Sequence, residues 1–469
     1  MRKFTALAVA IALLSGCALG PDYQAQTPDL PDQWPEHALL GQETDNWQQW
    51  WTRFDDATLN ALVERALNDN LNLQVQIQRI EQARAELGLS KANRWPSLSA
   101  QANATREHTP ETVSQTGGEY TSERYAVNGV LSYELDLWGR VAREREAASA
   151  LLAQSVFGTE AVRLNLVTDV VTTYFNLRAA EQQLAITRET LGTREETLAL
   201  EEVRYESGAS NPLSIRQARA SLESTRARLP QQAQRVHELR SALAMLVGYT
   251  PRELLSELDF GDSQLTDIQL PDSVPAVLPS ELLQRRPDIR AAQEALVAAN
   301  ARVGVAKAQR FPSLNLQALG GSVALDTDNL FTAPAEMWSV GANLAGPLFD
   351  FGRTRSRVES AEAQLAQAEA EYQLAITNGF RDARDALVIY QSADRRVEAV
   401  RRQTQAIEET LELAELQYDA GSIGFYELLD AQRGLLDAEL ALSQAMSDRL
   451  AATATLFKAM GGGWSTSQS

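Results

Sequence analysis

Cysteine occurs once in this chain, at Cys17, so no internal disulfide can form and stability must come from packing or from association with other copies. Long apolar runs are missing too. Beyond the first sixteen residues none reaches the ~18 residues of a transmembrane helix, which excludes a helical membrane protein but not a β-barrel. Positive charge is scarce: the formal net charge is −19, and about −21 once Arg2 and Lys3 are removed, which argues against nucleic acid and anionic lipid surfaces as ligands. The three histidines, His37, His108 and His237, lie far apart, and no carboxylate pair marks them as metal ligands. Five methionines, Met1 included, give no soft-metal relay. There is no G-x-x-x-x-G-K-[ST] loop and no G-x-S-x-G elbow. The expectation is a non-enzyme with no cofactor.

The N-terminus carries an address. Arg2 and Lys3 precede the apolar run Ala6–Leu14, and residues 1–16 read as a signal peptide. The run ends in Leu14-Ser15-Gly16-Cys17, which resembles the lipobox of bacterial lipoproteins. That resemblance implies cleavage before Cys17 and a covalent lipid on it, N-acyl on the amine and diacylglycerol on the thiol. Ala18, rather than Asp, then implies export to the outer membrane.

What the chain does contain, it contains twice. Lys91–Leu98 reads KANRWPSL and Lys307–Leu314 reads KAQRFPSL; Tyr205–Gly208 (YESG) recurs as Tyr418–Gly421 (YDAG). The second pair is set slightly closer together than the first. That loss falls in the polar segments between the pairs, Arg106–Arg124 and the shorter Ser322–Met337, so one structural unit is used twice. The units are 57–249 and 281–460, flanked by an N-terminal lipidated segment (17–56), a connector (250–280) and a tail (461–469).

Within each copy, Val141–Tyr205 and Thr354–Tyr418 are rich in helix formers and carry a stride of seven. In the first copy it runs Val170, Leu177, Leu184, Leu191, Leu198, Tyr205; the matching positions of the second are Ala383, Tyr390, Val397, Thr404, Leu411, Tyr418. The partner helices repeat it, from Ile215 to Leu243 and from Leu428 to Leu456. Sustained heptads mean coiled-coil packing, and a ~65-residue helix is about 100 Å long. Gly208 and Gly421 stand where a helix end wants a left-handed residue, and Asn211-Pro212 suits the next helix start. Pro230, matched by Ser443, should kink or offset its helix.

Between the helices the period changes to two. Odd positions from Tyr125 to Leu137 are apolar, apart from Gly129, while Asn128, Ser132, Glu134 and Asp136 alternate with them; Leu314, Leu316 and Ala318, and Val340, Ala342 and Leu344, continue the pattern. Strands are expected at about 95–106, 125–137, 311–321 and 338–350, with Trp95, Trp138, Phe311, Trp338 and Phe351 at their ends, where interfacial aromatics belong. Four strands cannot close a membrane barrel, whose smallest form has about eight, so the barrel must be shared between copies: two, three or four on this evidence.

The lipobox, Gly20-Pro21-Asp22-Tyr23, the two R-[WF]-P-S-L turns, the paired Y-x-x-G tips, Leu428-Leu429-Asp430-Ala431-Gln432 and Gly461-Gly462-Gly463-Trp464 together resemble the outer membrane factor (TolC-like) family, in its NodT-type efflux lipoprotein branch. The resemblance covers essentially the whole mature chain. It implies a mostly α fold with a β-barrel portion: a homotrimer whose twelve-stranded barrel sits in outer-membrane lipid above a periplasmic coiled-coil α-barrel, belted at its equator by the connector and the termini. It also implies a passive exit duct docked on a periplasmic adaptor (a membrane fusion protein) and an inner-membrane transporter of the resistance-nodulation-division type.

Carried over residue by residue, Tyr426 falls at an apolar gate ring, Asp430 at an aspartate ring and Glu427 at a second acidic position. Tyr426 and Asp430, four apart, share a helix face; Asp430 could instead pair with Arg433. Some members latch the closed state with an Arg two residues after the tip glycine. Ile423 stands there, leaving Arg216 as a candidate substitute. The tips, Gly208, Asn211 and Pro212 with Gly421 and Gly424, are the expected adaptor contacts, and Glu134 and Asp136 are expected to face the lumen. Outer-membrane components of type I secretion or metal efflux, a periplasmic scaffold lipoprotein, and a lipid-anchored enzyme are the alternatives.

Overall fold

The computed structural model describes residues 19–24, 30–31, 49–113, 117–256, 258–271 and 279–462. Contacts divide the chain into two units. The first comprises Arg79–Val156 and Ala291–Gln373 with the described part of Met1–Thr27; the second comprises Phe157–Arg290, with the described parts of Pro28–Gln78 and Leu374–Ser469.

The helices are α1 (Ala57–Asp69), α2 (Leu71–Ala92), α3 (Arg140–Glu206), α4 (Pro212–Val247), the short α5 (Pro251–Leu254) and α6 (Pro279–Arg285), α7 (Pro287–Ala308), α8 (Arg353–Asp419) and α9 (Phe425–Ala459). Both long helices have 67 residues, and neither contains proline. The heptad is visible in burial: Val170 and Leu177 in α3 and Ala383 in α8 are fully buried, and Val397 is 1 % exposed. Burying such side chains contributes about 1.5–3 kcal/mol each. Pro230 does not end α4, which runs through it to Val247.

The duplication shows in backbone detail. Gly248 (φ 85°) and Gly461 (φ 78°) end equivalent helices in left-handed conformations. A Cβ on Gly248 would lie 2.6 Å from the Asp69 carbonyl oxygen, and one on Gly461 2.7 Å from that of Arg285. Both helix ends are seated on the same backbone position of the two copies.

The first unit holds one antiparallel sheet in the order β1 (Ser97–Thr109), β2 (Tyr120–Leu135), β3 (Ser313–Ala324), β4 (Glu336–Ala345). The register aligns Leu98, Leu131, Ala318 and Val340 across one face. On the other lie Ser97, Ser132, Gln317 and Gly341. One face is therefore apolar yet exposed, with Leu98 at 77 %, Val340 at 76 % and Leu344 at 63 %. Every strand boundary lies two to five residues from the sequence expectation, and the two largest shifts have visible causes. β2 starts at Tyr120 because Tyr120–Arg124 pairs with Thr105–Thr109, although its side chains are mostly polar. β4 stops at Ala345 because a Cβ on the next residue, Gly346, would meet Pro312 at 2.6 Å, and Pro347 has no N–H to donate.

The second unit has an aromatic core where three chain segments meet. Trp50 stacks on Phe457 (5.4 Å between ring centroids) and Phe54 meets Phe175 edge-on at 4.9 Å. The Tyr174 hydroxyl donates to Asp56 (2.7 Å). The Arg178 guanidinium gathers the carbonyls of Phe260 (3.1 Å) and Gly261 (2.8 Å), fixing the connector against α3.

Candidate functional site

The tips of the two long hairpins lie together in the second unit. Gly208 (φ 80°) and Gly421 (φ 71°) supply the left-handed residues that the turns need. Asn211 caps α4, its side-chain Oδ1 accepting from the N–H groups of Leu213 (2.9 Å) and Ser214 (3.1 Å), with Pro212 as first helical residue. Gly424 precedes α9 in an extended conformation with no side-chain cap. Beneath the turns Phe425, Leu428 and Leu429 are buried with Ala218. The first turns of α9 therefore face inward on those residues and outward on Tyr426, Glu427 and Asp430, all three exposed. Among the described residues no ion pair joins Asp430 to Arg433, and none is made by Arg216.

A tie between the hairpins was not legible as such in the sequence. Glu201, 1 % exposed at its side chain, stands at a heptad position of α3. Its carboxylate accepts from the Tyr418 hydroxyl (2.5 Å) on α8 and from the Ser210 hydroxyl (2.7 Å). Beside it Arg204 donates to Asp419 (3.0 Å), and its guanidinium lies over the Tyr418 ring, 4.7 Å from the centroid. Burial, and then the Glu201 hydrogen bond, push the Tyr418 hydroxyl up to about 12, so it remains a donor at neutral pH. Ile423 holds no cation, and the first hairpin provides one through Arg204. The available signal was a comparison of copies, since Glu201 is matched by Ala414, an acid where its twin is apolar.

The sheet's acids are engaged. Glu134 lies on the polar face, opposite Asn315, and receives two hydrogen bonds from Arg140 (2.9 and 2.7 Å). Asp136 accepts from the N–H of Ala142 (2.8 Å) at the start of α3. A cation balances Glu134, and a helix terminus uses Asp136. Aromatics mark the strand ends: Trp95, Phe311 and Phe351 are exposed, and Trp138 stacks on Phe311 at 4.6 Å. Trp338, 80 % exposed near the start of β4, marks the opposite end.

Cys17 lies outside the described residues, as does His37, but the segment just after Cys17 is clamped. Leu19 donates to the Trp138 carbonyl (3.1 Å), Asn300 to that of Pro21 (2.9 Å), and Arg143 to Asp22 (2.6 Å). Gly20 (φ 104°) backs onto Gly304, where a Cβ would come within 2.6 Å. Among the described residues no group of three His, Cys, Asp or Glu could hold a metal ion, and no helix is long and apolar enough to cross a membrane.

Residues 62–249 and 278–462 match the family model for outer membrane efflux proteins, the two segments following the duplication. The chain is 33 % identical over 474 residues to the toluene efflux pump outer membrane protein TtgI of Pseudomonas putida, covering 99 % of this chain and 100 % of that one. It is 31 % identical to the probable outer membrane lipoprotein SilC of Salmonella typhimurium, covering 99 % and 100 %. Among solved structures it superposes on the outer-membrane channel OprN with a TM-score of 0.89 at 31 % identity, over 96 % of this chain and 100 % of that one.

Proposed function

The chain belongs to the outer membrane efflux protein family, and on that footing we propose that three copies close a twelve-stranded barrel and form a passive exit duct for small toxic molecules. The observation that carries this is the sheet. Its four strands leave β1 and β4 as edges, while one face is apolar and exposed. Unpaired backbone groups are not tolerated in lipid, so the edges must be paired by other copies. The native mass of the protein extracted in mild detergent tests it. A trimer is expected; a monomer stable at micromolar concentration overturns it.

At the hairpin end, Tyr426 forms an apolar ring near the threefold axis, with Glu427 and Asp430 forming acidic rings. Gathered carboxylates repel one another and hold water or cations, which selects and retards what passes. The Glu201–Tyr418 and Arg204–Asp419 contacts hold the hairpins in this arrangement. Asp430→Ala combined with Tyr426→Ala is expected to raise conductance in a planar bilayer, and an unchanged conductance removes the gate assignment. A periplasmic adaptor docks on the tips around Gly208, Asn211, Pro212, Gly421 and Gly424, delivering cargo from a resistance-nodulation-division transporter. Cys17 carries the lipid, a reading supported by the name of the SilC relative. Toluene, in the name of the TtgI relative, sets the class of cargo to test first.

A further inference from the structure

One layer of the long hairpins is built differently in the two copies of the repeat. In the second copy Ile407 of α8 lies against Gly434 of α9, where a Cβ would meet the Ile407 side chain at an ordinary 3.6 Å. In the register that pairs Tyr205 with Tyr418, the first copy has Arg194 and Ser221 at these positions. Arg194 of α3 is 5 % exposed. Its Nη1 donates to the Ser221 carbonyl (3.1 Å) and to the Ser221 hydroxyl, on α4. Its Nε is buried without a hydrogen-bond partner, and among the described residues no carboxylate pairs with it.

Two further guanidiniums converge on this one. Helices α3 and α9 run antiparallel, joined at Asn176 with Ser447 (3.1 Å) and at Gln183 with Gln444 (3.4 Å). Eleven residues on from Gln183 lies Arg194, and eleven back from Gln444 lies Arg433, about three turns away on the same faces. On α4, Arg228 stands about two turns from Ser221 and bonds Asp437 (3.1 Å), about one turn along α9 from Arg433. Arg433 is exposed and makes no ion pair among the described residues. Glu195 of α3 and Glu223 of α4 are taken by Arg226 (2.9 and 2.7 Å). Burial lowers the pKa of Arg194, Arg433 and then Arg228 lower it further, and Asp437 acts against them. Three guanidiniums thus share one carboxylate, in a chain whose net charge is −19. Their twins are Ile407, Ala441 and Ala220, so packing of a hairpin does not require cations here.

We propose that the groove between α3, α4 and α9 binds a small oxyanion of the phosphate class, held by Arg194, Arg228 and Arg433. A planar guanidinium offers two parallel N–H donors that match the edge of an oxyanion, and donors from three helices can share one ion. A buried cation without a partner is costly, and an anion in the groove supplies the missing charge. Helices α3 and α4 form the first hairpin and α9 belongs to the second, so the bound ion braces one against the other. The site lies within a single chain and does not depend on the trimer.

Inorganic phosphate is the probe, added to the full-length protein in mild detergent at fixed ionic strength, with chloride as the balancing anion. The melting temperature of the wild type is expected to rise saturably with phosphate and not with chloride. Titration calorimetry is expected to count one phosphate per chain. Arg433→Gln and Arg228→Gln each remove donors at exposed positions and are expected to weaken phosphate binding about tenfold. Arg194→Met is expected to abolish the phosphate-dependent rise, so that its melting temperature is the same in the two salts. Arg84→Gln, at an exposed position on α2, is the control and should match the wild type. Equal shifts in phosphate and chloride overturn the site. So does a phosphate response that survives unchanged in Arg194→Met and Arg433→Gln. If Arg194→Met fails to fold, the two surface variants decide, and wild-type affinity in both overturns the proposal.

Discussion

Glu201 sits where the heptad places apolar side chains, as its twin Ala414 shows, so its burial is tolerated because two hydroxyls and the Arg204 guanidinium (3.8 Å) serve its carboxylate. Tyr418→Phe is expected to cost about 2 kcal/mol and to raise channel leak, measured by thermal unfolding and by conductance. Because the Tyr418 hydroxyl is raised from 10.0 to about 12 in the folded protein, its contribution is complete below pH 10 and lost as pH rises through about 12. The stability gap between wild type and Tyr418→Phe should therefore be flat across neutral pH and close only in strong alkali. Arg194 is the opposite case. It is 5 % exposed, its twin is Ile407, and it bonds the Ser221 carbonyl (3.1 Å) with no acid paired to it among the described residues. Burial, then Arg433 and Arg228, lower its pKa. Replacement by an apolar side chain of similar volume removes a buried charge, so Arg194→Met is expected to raise the melting temperature. A fall in melting temperature would show that the guanidinium holds α3 to α4.

At the scale of elements, most of the architecture could be read from sequence. The stride of seven placed α3 and α8 to within a residue or so at each end, because a long proline-free run of heptads leaves few alternatives. Strand ends were less legible: polar residues at the start of β2 pair well but break alternation, and Gly346 ends β4 through a contact with Pro312, just ahead of β3. The site was legible in part. The exposed face of Tyr426, Glu427 and Asp430 follows from helical spacing, whereas the Glu201–Tyr418 tie joins one copy of the repeat to the other, which no local pattern reports. Gly248→Ala and Gly461→Ala combine a left-handed backbone with a clash against a carbonyl, and each should destabilise by more than ~1 kcal/mol, read from urea unfolding. Asp350, accepting from the N–H groups of Gly352 (3.1 Å) and Thr354 (2.8 Å) at the start of α8, should cost about 1 kcal/mol as Asp350→Ala.

For the molecule as an outer-membrane efflux protein, the clamp on residues 19–22 sets a distance. Cys17 precedes Leu19 by two residues, and two residues span at most about 7 Å. Leu19 is fixed to the Trp138 carbonyl, immediately below the sheet's aromatic end. If Cys17 carries the proposed lipid, the leash is short enough to hold the acyl group near that end of the sheet. The lipid would act as a depth gauge as much as an anchor, setting how far the barrel sits in the bilayer. Since the clamp draws on Arg143 from the first copy and Asn300 from the second, it can close only after both have been made. The proposed lipid attachment would thereby couple insertion depth to completion of the duplicated chain through the four residues 19–22.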